Sequence, residues 1–208
     1  MATGHLFLPM SLVLLLSSAV TAQEATAIQA TSQDANKPVL VRVETERGSL
    51  DIEVDVARAP VTARNFLRYV DAGFYDGGQF HRSATLESQT DRPVRIEVIQ
   101  ASINQTREKD QFTPIPLERT KQTGLFHKDG TISMARGTAD SARSSFFICI
   151  NDQPSLDYGG SRNPDGQGFA AFGRVVAGMG VVRAIHCAPK QEERLTPPIK
   201  ILRANRIQ

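Results

Sequence analysis

Residues Gly130–Asp152 read GTISMARGTADSARSSFFICIND, and the fold turns on this stretch. Thr131–Ala135 is strand-like, and Phe146–Ile150 is the most apolar segment outside the N-terminus. A short continuous apolar run bounded by polar turns reads as a strand buried on both faces or lining the mouth of a cavity. Between the two, Arg136–Ser145 has the Gly, Ala, Ser and Asp composition of a surface loop joining core strands. Such a unit suits a plain β core and a binding face equally. The flanking sequence has to decide.

Upstream, Val39, Val41 and Val43 alternate with Leu40, Arg42 and Glu44. After the Glu46–Ser49 turn, Leu50, Ile52, Val54 and Val56 alternate with Asp51, Glu53 and Asp55. Period two in both arms around a Gly turn predicts a β-hairpin with one wet face. Pro60 then opens a helix whose Ala63, Phe66, Leu67 and Val70 share one face, and Asp71-Ala72-Gly73 stops it. Gln79–Arg82 reads as a short strand, Ser83–Pro93 as a polar loop and Val94–Ile99 as a strand. Ala101–Thr113 reads as a second polar loop, and Pro114–Glu118 as an extended edge, because Pro cannot donate to a ladder.

Downstream of Asp152 a long turn-rich loop leads to a strand at Phe169–Val176, a short helix at Gly178–Cys187 and a last strand at Ile199–Arg203. Two helices are too few to cover a parallel sheet. A closed antiparallel barrel with a helix at each end uses every element.

Composition sets the outer bounds. With 208 residues and a formal net charge of +2, the chain has enough length for one real core and no basic stripe for nucleic acid. The first 22 residues carry no Lys, Arg, Asp or Glu, Leu6–Leu16 is mostly apolar, and Val20-Thr21-Ala22 suits a cut before Gln23. Residues 1–22 are therefore expected to be a secretory leader, its apolar run shorter than the ~20 residues of a spanning helix. Residues 23–38 are expected to be a flexible linker, and 39–208 the domain. Export, periplasmic or secreted, without stable membrane insertion after cleavage, follows from that leader. It also opens one disulfide, Cys149–Cys187, although Cys149 inside FFICI is as simply read as a small buried hydrophobe. Two cysteines and four dispersed histidines make no metal-ligand cluster.

No phosphate loop, dinucleotide fingerprint or nucleophile elbow is present. Ser144 and Ser145 have no His–Asp partners at a telling spacing, and Asp51, Glu53 and Asp55 read as one solvated strand face. Phe80-His81-Arg82, an aromatic, a histidine and an arginine on one strand, is weak on its own and gains weight beside the opening stretch.

Taken in order, Ala59-Pro60-Val61-Thr62-Ala63-Arg64-Asn65-Phe66, Gly73–Arg82 ending in FHR, Gly130–Arg136 (GTISMAR), Ser144–Ile148 (SSFFI), Phe172–Val175 and Gly178–Val181 form a pattern. In that order and spacing the sequence resembles the cyclophilin family of peptidyl-prolyl cis-trans isomerases, particularly the bacterial exported type, from Val39 to about Arg203. The resemblance implies an all-β fold, a closed eight-stranded antiparallel barrel capped by two α-helices, and no cofactor. It implies Arg82 as the catalytic arginine, with Phe147 and Gln100 in the same catalytic group. It implies His81, Met134, Ala135, Arg136, Leu156 and Phe169 as substrate-binding residues, Met134 lying beneath the strip. The partners implied are proline-containing peptides or unfolded exported proteins, acted on by a monomer.

Departures from the family pattern cluster in one place. Ser83–Arg95 intervenes before the segment ending in Gln100. Glu97 stands where an aromatic usually packs, Val98 where Met usually sits, Ala101-Ser102 replace glycines, and Ser145 replaces a glutamine. The expectation is an isomerase of retained but reduced activity. The alternative is a catalytically impaired peptide-binding or chaperone module on the same scaffold.

Overall fold

Period-two runs build the strands at Val39–Thr45 and Gly48–Val54, continuous buried runs build those at Thr131–Met134 and Phe146–Cys149, and long-range pairing joins the strands into a ring. The computed structural model describes residue 1 and residues 37–208. The leader beyond residue 1, and all but the end of the linker 23–38, lie outside the described residues. The strands are β1 (Val39–Thr45), β2 (Gly48–Val54), β3 (Gln79–Ala84), β4 (Val98–Ser102), β5 (Thr131–Met134), β6 (Phe146–Cys149), β7 (Ala170–Ala177), β8 (Lys190–Gln191) and β9 (Arg194–Ile207). The helices are α1 (Pro60–Asp71), α2 (Thr120–Thr123) and α3 (Met179–His186).

The antiparallel order β1-β2-β7-β5-β6-β4-β3-β9 closes on itself through β1–β9, so eight strands form the expected barrel. β8 pairs only with β9, as a short hairpin on the ring. Inward residues of the ring, among them Val41, Ile52, Phe80, Ile99, Ile132, Phe146 and Phe172, are almost fully buried in one core. Phe66 of α1 meets Phe146 edge-on and also packs on Tyr75 and Phe172. Val182 and Ile185 of α3 are buried, and the helix packs on β2, β3 and β4.

α1 begins without a capping side chain of its own. Glu118 supplies the acceptor from 56 residues away, taking the Val61 N–H at 3.0 Å and the Thr62 N–H at 2.7 Å. An anion there satisfies two orphan donors and complements the helix dipole. Gly178, at φ 87°, opens α3 where a Cβ would strike Ser49 O and Leu50. Only glycine fits that approach.

Several expectations are corrected. β3 runs on through Ser83 and Ala84, and the supposed loop then folds into a 3₁₀ turn at Glu87–Gln89. Gln89 is fully buried there, and its Nε2 donates to Thr85 O and Ile96 O. The strand expected at Val94–Ile99 sits at Val98–Ser102, because Val94 O is taken by the Arg162 guanidinium and pairing with β3 begins at Val98. The last strand spans Arg194–Ile207, long enough to pair with both β3 and β1. The disulfide is absent: Cys149 is buried and free, and Cys187 is exposed and free just past α3. The acidic residues of β2 and just past it keep their place at the surface, where they form ion pairs, Asp51 with Arg42, Glu53 with Arg174 and Asp55 with Arg58. Among the described residues no helix is long and apolar enough to cross a membrane.

Candidate active site

Strict alternation along β3 would point Phe80 into the barrel, His81 out and Arg82 back in. The observed pairing breaks that alternation. Phe80 lies opposite Ala101 and Arg82 opposite Gln100, so His81 is an extra residue in the strand. The pairing with β9 is irregular at the same point, but there the extra residues lie on β9: Phe80 faces Ile199 and Arg82 faces Arg194, with Leu195–Pro198 between them. A bulge of this kind re-aims one side chain. It sends Phe80 into the core, puts Arg82 on the outer face, and returns Ser83 inward and Ala84 outward opposite Val98.

On that outer face the register lines up Arg82, Gln100, Phe147, Ser133 and Ala171 across β3, β4, β6, β5 and β7. Arg82 Nη1 donates to Gln100 Oε1 at 2.8 Å. Its Nε donates to Glu193 Oε2 at 2.9 Å. Beside this polar pair lies a second apolar cluster, separate from the barrel interior. Phe147, Leu156, Val98, Ala84, Ile96 and Cys149 form it, with Ala135 and Phe169 packed against it. Phe147 and Phe169 meet edge to face, with centroids 5.5 Å apart. A guanidinium, a glutamine and an apolar floor therefore share one surface.

The floor rests on a residue that the motifs did not reveal. His127 stacks beneath Phe147 at 5.9 Å with an interplanar angle of 16°. Asp157 Oδ1 lies 2.7 Å from its Nδ1 and also accepts its backbone N–H. A carboxylate only accepts, so Nδ1 carries the proton, and in the neutral imidazole Nε2 accepts from Ser133 Oγ at 3.0 Å. Asp157 and Ser133 thus fix the ring that carries Phe147. No sequence spacing announces this trio, since His127 and Asp157 are 30 positions apart.

Of the residues grouped with the substrate strip, Met134 lies beneath it and Arg136 is engaged elsewhere. Met134 is 1% exposed in the barrel core, opposite Phe146 and on the far side of the sheet from Phe147. It supports the strip from below. The Arg136 side chain is only 1% exposed. Its Nη1 and Nη2 donate to the two Asp165 oxygens, its Nε donates to Gly168 O, and its guanidinium sits 5.0 Å over the Phe169 ring. Saturated in this way, it pins the loop that ends in Phe169. Ala135 keeps its place at the edge of the apolar cluster, its N–H donated to Ser145 O.

His81 lines a polar cleft of about 970 Å³ together with Arg82, Ser102, Ser145 and Glu193. Its Nδ1 is buried without a hydrogen-bond partner. Burial, and after it the charge of Arg82, hold its imidazole below the ordinary value of 6.5. Ser144 is buried, and its Oγ donates to Gln111 Oε1, which leaves it a structural residue.

Residues 40–206 match the family model for cyclophilin type peptidyl-prolyl cis-trans isomerases. The chain belongs to the cyclophilin family. Relatives of the same name are a peptidyl-prolyl cis-trans isomerase of Acinetobacter baylyi, 35% identical over 72% of this chain and 73% of that one. A second is peptidyl-prolyl cis-trans isomerase A of Dickeya dadantii, 36% identical over 70% of each chain. The fold matches a crystal structure of a Cryptosporidium parvum cyclophilin type isomerase with a TM-score of 0.65 at 19% identity, covering 82% of this chain and 98% of that one. The same Cryptosporidium protein solved in the presence of the dipeptide Ala-Pro gives a TM-score of 0.64.

Seen in a cyclophilin, the departures from the family pattern become local. Glu97 stands clear of the apolar cluster, since its carboxylate accepts from Asn151 Nδ2 at 3.0 Å. Only Val98 joins the cluster, where it remains an apolar contact. Ala101 and Ser102 extend β4, Ala101 buried opposite Phe80 and Ser102 at the cleft. The apolar cluster thus receives no side chain from Glu97, keeps an apolar contact from Val98, and has at the edge of the neighbouring cleft only the short Ser145.

Proposed function

We propose that this cyclophilin isomerises X-Pro bonds on the outer face of β3, β4 and β6, with Arg82 as the catalytic donor and Phe147, Leu156 and Phe169 holding the proline ring. One observation carries the reading: Arg82 and Gln100 share a 2.8 Å hydrogen bond directly beside Phe147, Gln100's registered neighbour. The reaction's barrier of about 18–20 kcal/mol comes from amide resonance. Rotation forms and breaks no covalent bond, so the site has only to bind the twisted amide better than the planar one.

As the amide twists, the lone pair localises on the prolyl nitrogen. An Arg82 N–H aimed at that nitrogen gains strength at the top of the barrier and little at the bottom, which is the differential binding that speeds the step. The apolar floor removes the ring from water and fixes its face. Gln100 anchors the guanidinium through Nη1, and Ala135 edges the groove along which the flanking peptide lies. The short Ser145 withdraws one polar contact, which makes turnover lower than in relatives with a longer amide there. The leader read in residues 1–22 supports proline-containing segments of exported proteins as substrates, met outside the cytoplasm by a monomeric enzyme.

A protease-coupled assay on an X-Pro peptide tests the reading. Turnover above the buffer rate is expected, and R82A should lose on the order of 10²-fold, the scale for one aligned donor. Wild type no faster than buffer, or R82A equal to wild type, overturns it in favour of a peptide-binding module.

A further inference from the structure

Glu193 lies in the turn of the β8–β9 hairpin, 111 residues from Arg82, and takes the Arg82 Nε–H at 2.9 Å. Its side chain is 16% exposed and that of Arg82 24%, so this is not a screened surface pair. The hairpin is held where it is needed. The Ser83 N–H, next to Arg82 in the chain, donates to Glu193 O at 2.8 Å. Ser83 Oγ donates to His186 O, and Lys190 Nζ donates to the same carbonyl.

A guanidinium on a flexible stem has five N–H groups and several rotatable bonds. Gln100 alone, on Nη1, leaves it free to swing about that one contact. A second acceptor on Nε, brought by a different element, fixes the plane. The remaining N–H groups, both on Nη2 among them, have no partner among the described residues and stay available. Arg92 Nη2 is 3.8 Å from the same Glu193 oxygen, too long for a hydrogen bond, and does not compete for it.

We propose that Glu193 is a positioning residue for Arg82, locking the guanidinium plane from the β8–β9 hairpin so that its free N–H groups point along the groove. This rests on the reading of Arg82 as the catalytic donor. The role is one of reach more than charge. A neutral acceptor at the same distance serves the Nε–H equally, while a carboxylate drawn back by one methylene does not.

The test compares wild type, E193A, E193Q, E193D and R82A on one X-Pro peptide, with kcat and KM separated by NMR exchange at varied peptide and folding checked by circular dichroism. E193A and E193D are expected to lose about tenfold in kcat, less than the ~10²-fold that a 1 Å misplacement can cost because Gln100 still holds Nη1, with KM nearly unchanged because the floor is intact. E193Q is expected to recover to within about threefold of wild type. E193A added to R82A should cost nothing further, since two residues acting through one contact are not additive. If E193A does not fold, the contrast between E193D and E193Q carries the same decision. Turnover of E193D and E193A equal to wild type, E193Q as impaired as E193D, or losses that add to that of R82A overturn the proposal while leaving Arg82 as the donor. Wild type at the buffer rate, or R82A equal to wild type, overturns both.

Discussion

Arg82 and Gln100 face each other across β3 and β4, joined at 2.8 Å, because His81 is an extra residue in the strand between Phe80 and Arg82. Without that bulge the arginine side chain would turn toward the core. The site therefore depends on a backbone irregularity as much as on the identities of the residues it brings together.

Removing the glutamine tests that relationship from its other side. Q100A leaves Arg82 with Glu193 alone, and kcat/KM on an X-Pro peptide is expected to fall about tenfold with the melting temperature little changed. A fall no larger than twofold would mean that Gln100 does not orient the guanidinium.

His127 should matter through Phe147. H127A removes a ring that is 1% exposed and leaves Asp157 and Ser133 short of a partner. A loss of about 2–3 kcal/mol is expected from unpaired buried groups and lost packing. Peptide binding, read as KM, should weaken at the same time, because the support beneath the floor is gone. Chemical denaturation and KM measured on the same sample check both.

Asp165 links stability to pH. Hydrogen bonding from Arg136, and then from the Gln167 N–H, holds its carboxyl down to about 2 from the ordinary 3.8. A depressed folded value stabilises the protein above the unfolded value, and that contribution is lost as pH falls through the folded one. Thermal melts from pH 5 downward should therefore decline between 3.8 and about 2, and D165N should flatten that part of the slope. An unchanged slope in D165N would assign the acid sensitivity to other carboxylates.

The two thiols should behave differently. Cys187 is exposed, while burial pushes the Cys149 thiol well above its ordinary value. A thiol-reactive chromophore is expected to titrate one cysteine in the native protein and both after denaturation, with or without reductant. Two native equivalents would mean that the cluster under Phe147 opens readily, and none even after denaturation without reductant would mean that the cysteines pair in solution.

Much of the barrel is written locally. Period-two runs mark β1 and β2, a continuous apolar run marks the FFICI strand, helical spacing marks α1 and α3, and turn residues mark their ends. Elements were harder to place wherever tertiary contacts outweigh pattern. Ser83–Pro93 looks like a polar loop, yet Gln89 is buried because two carbonyls are waiting for its amide. Val94–Ile99 alternates like a strand, yet pairing begins only at Val98, where the neighbours are.

By itself the sequence determined the family and the barrel, because these are carried by motifs and short-range periodicity, and the family resemblance pointed to Arg82, Gln100, Phe147, Leu156 and Phe169 for the site. Tertiary structure alone decided which way those side chains face and what holds them. Met134 turns inward while Ala135 stays at the apolar edge, and Arg136 is spent on Asp165, 29 positions away. His127 underlies Phe147 through a carboxylate 30 positions on, and Glu193 reaches Arg82 across 111. Such partners meet only when the barrel closes. Closure is a pairing of distant strands, and the one-residue bulge that re-aims Arg82 exists only within that pairing.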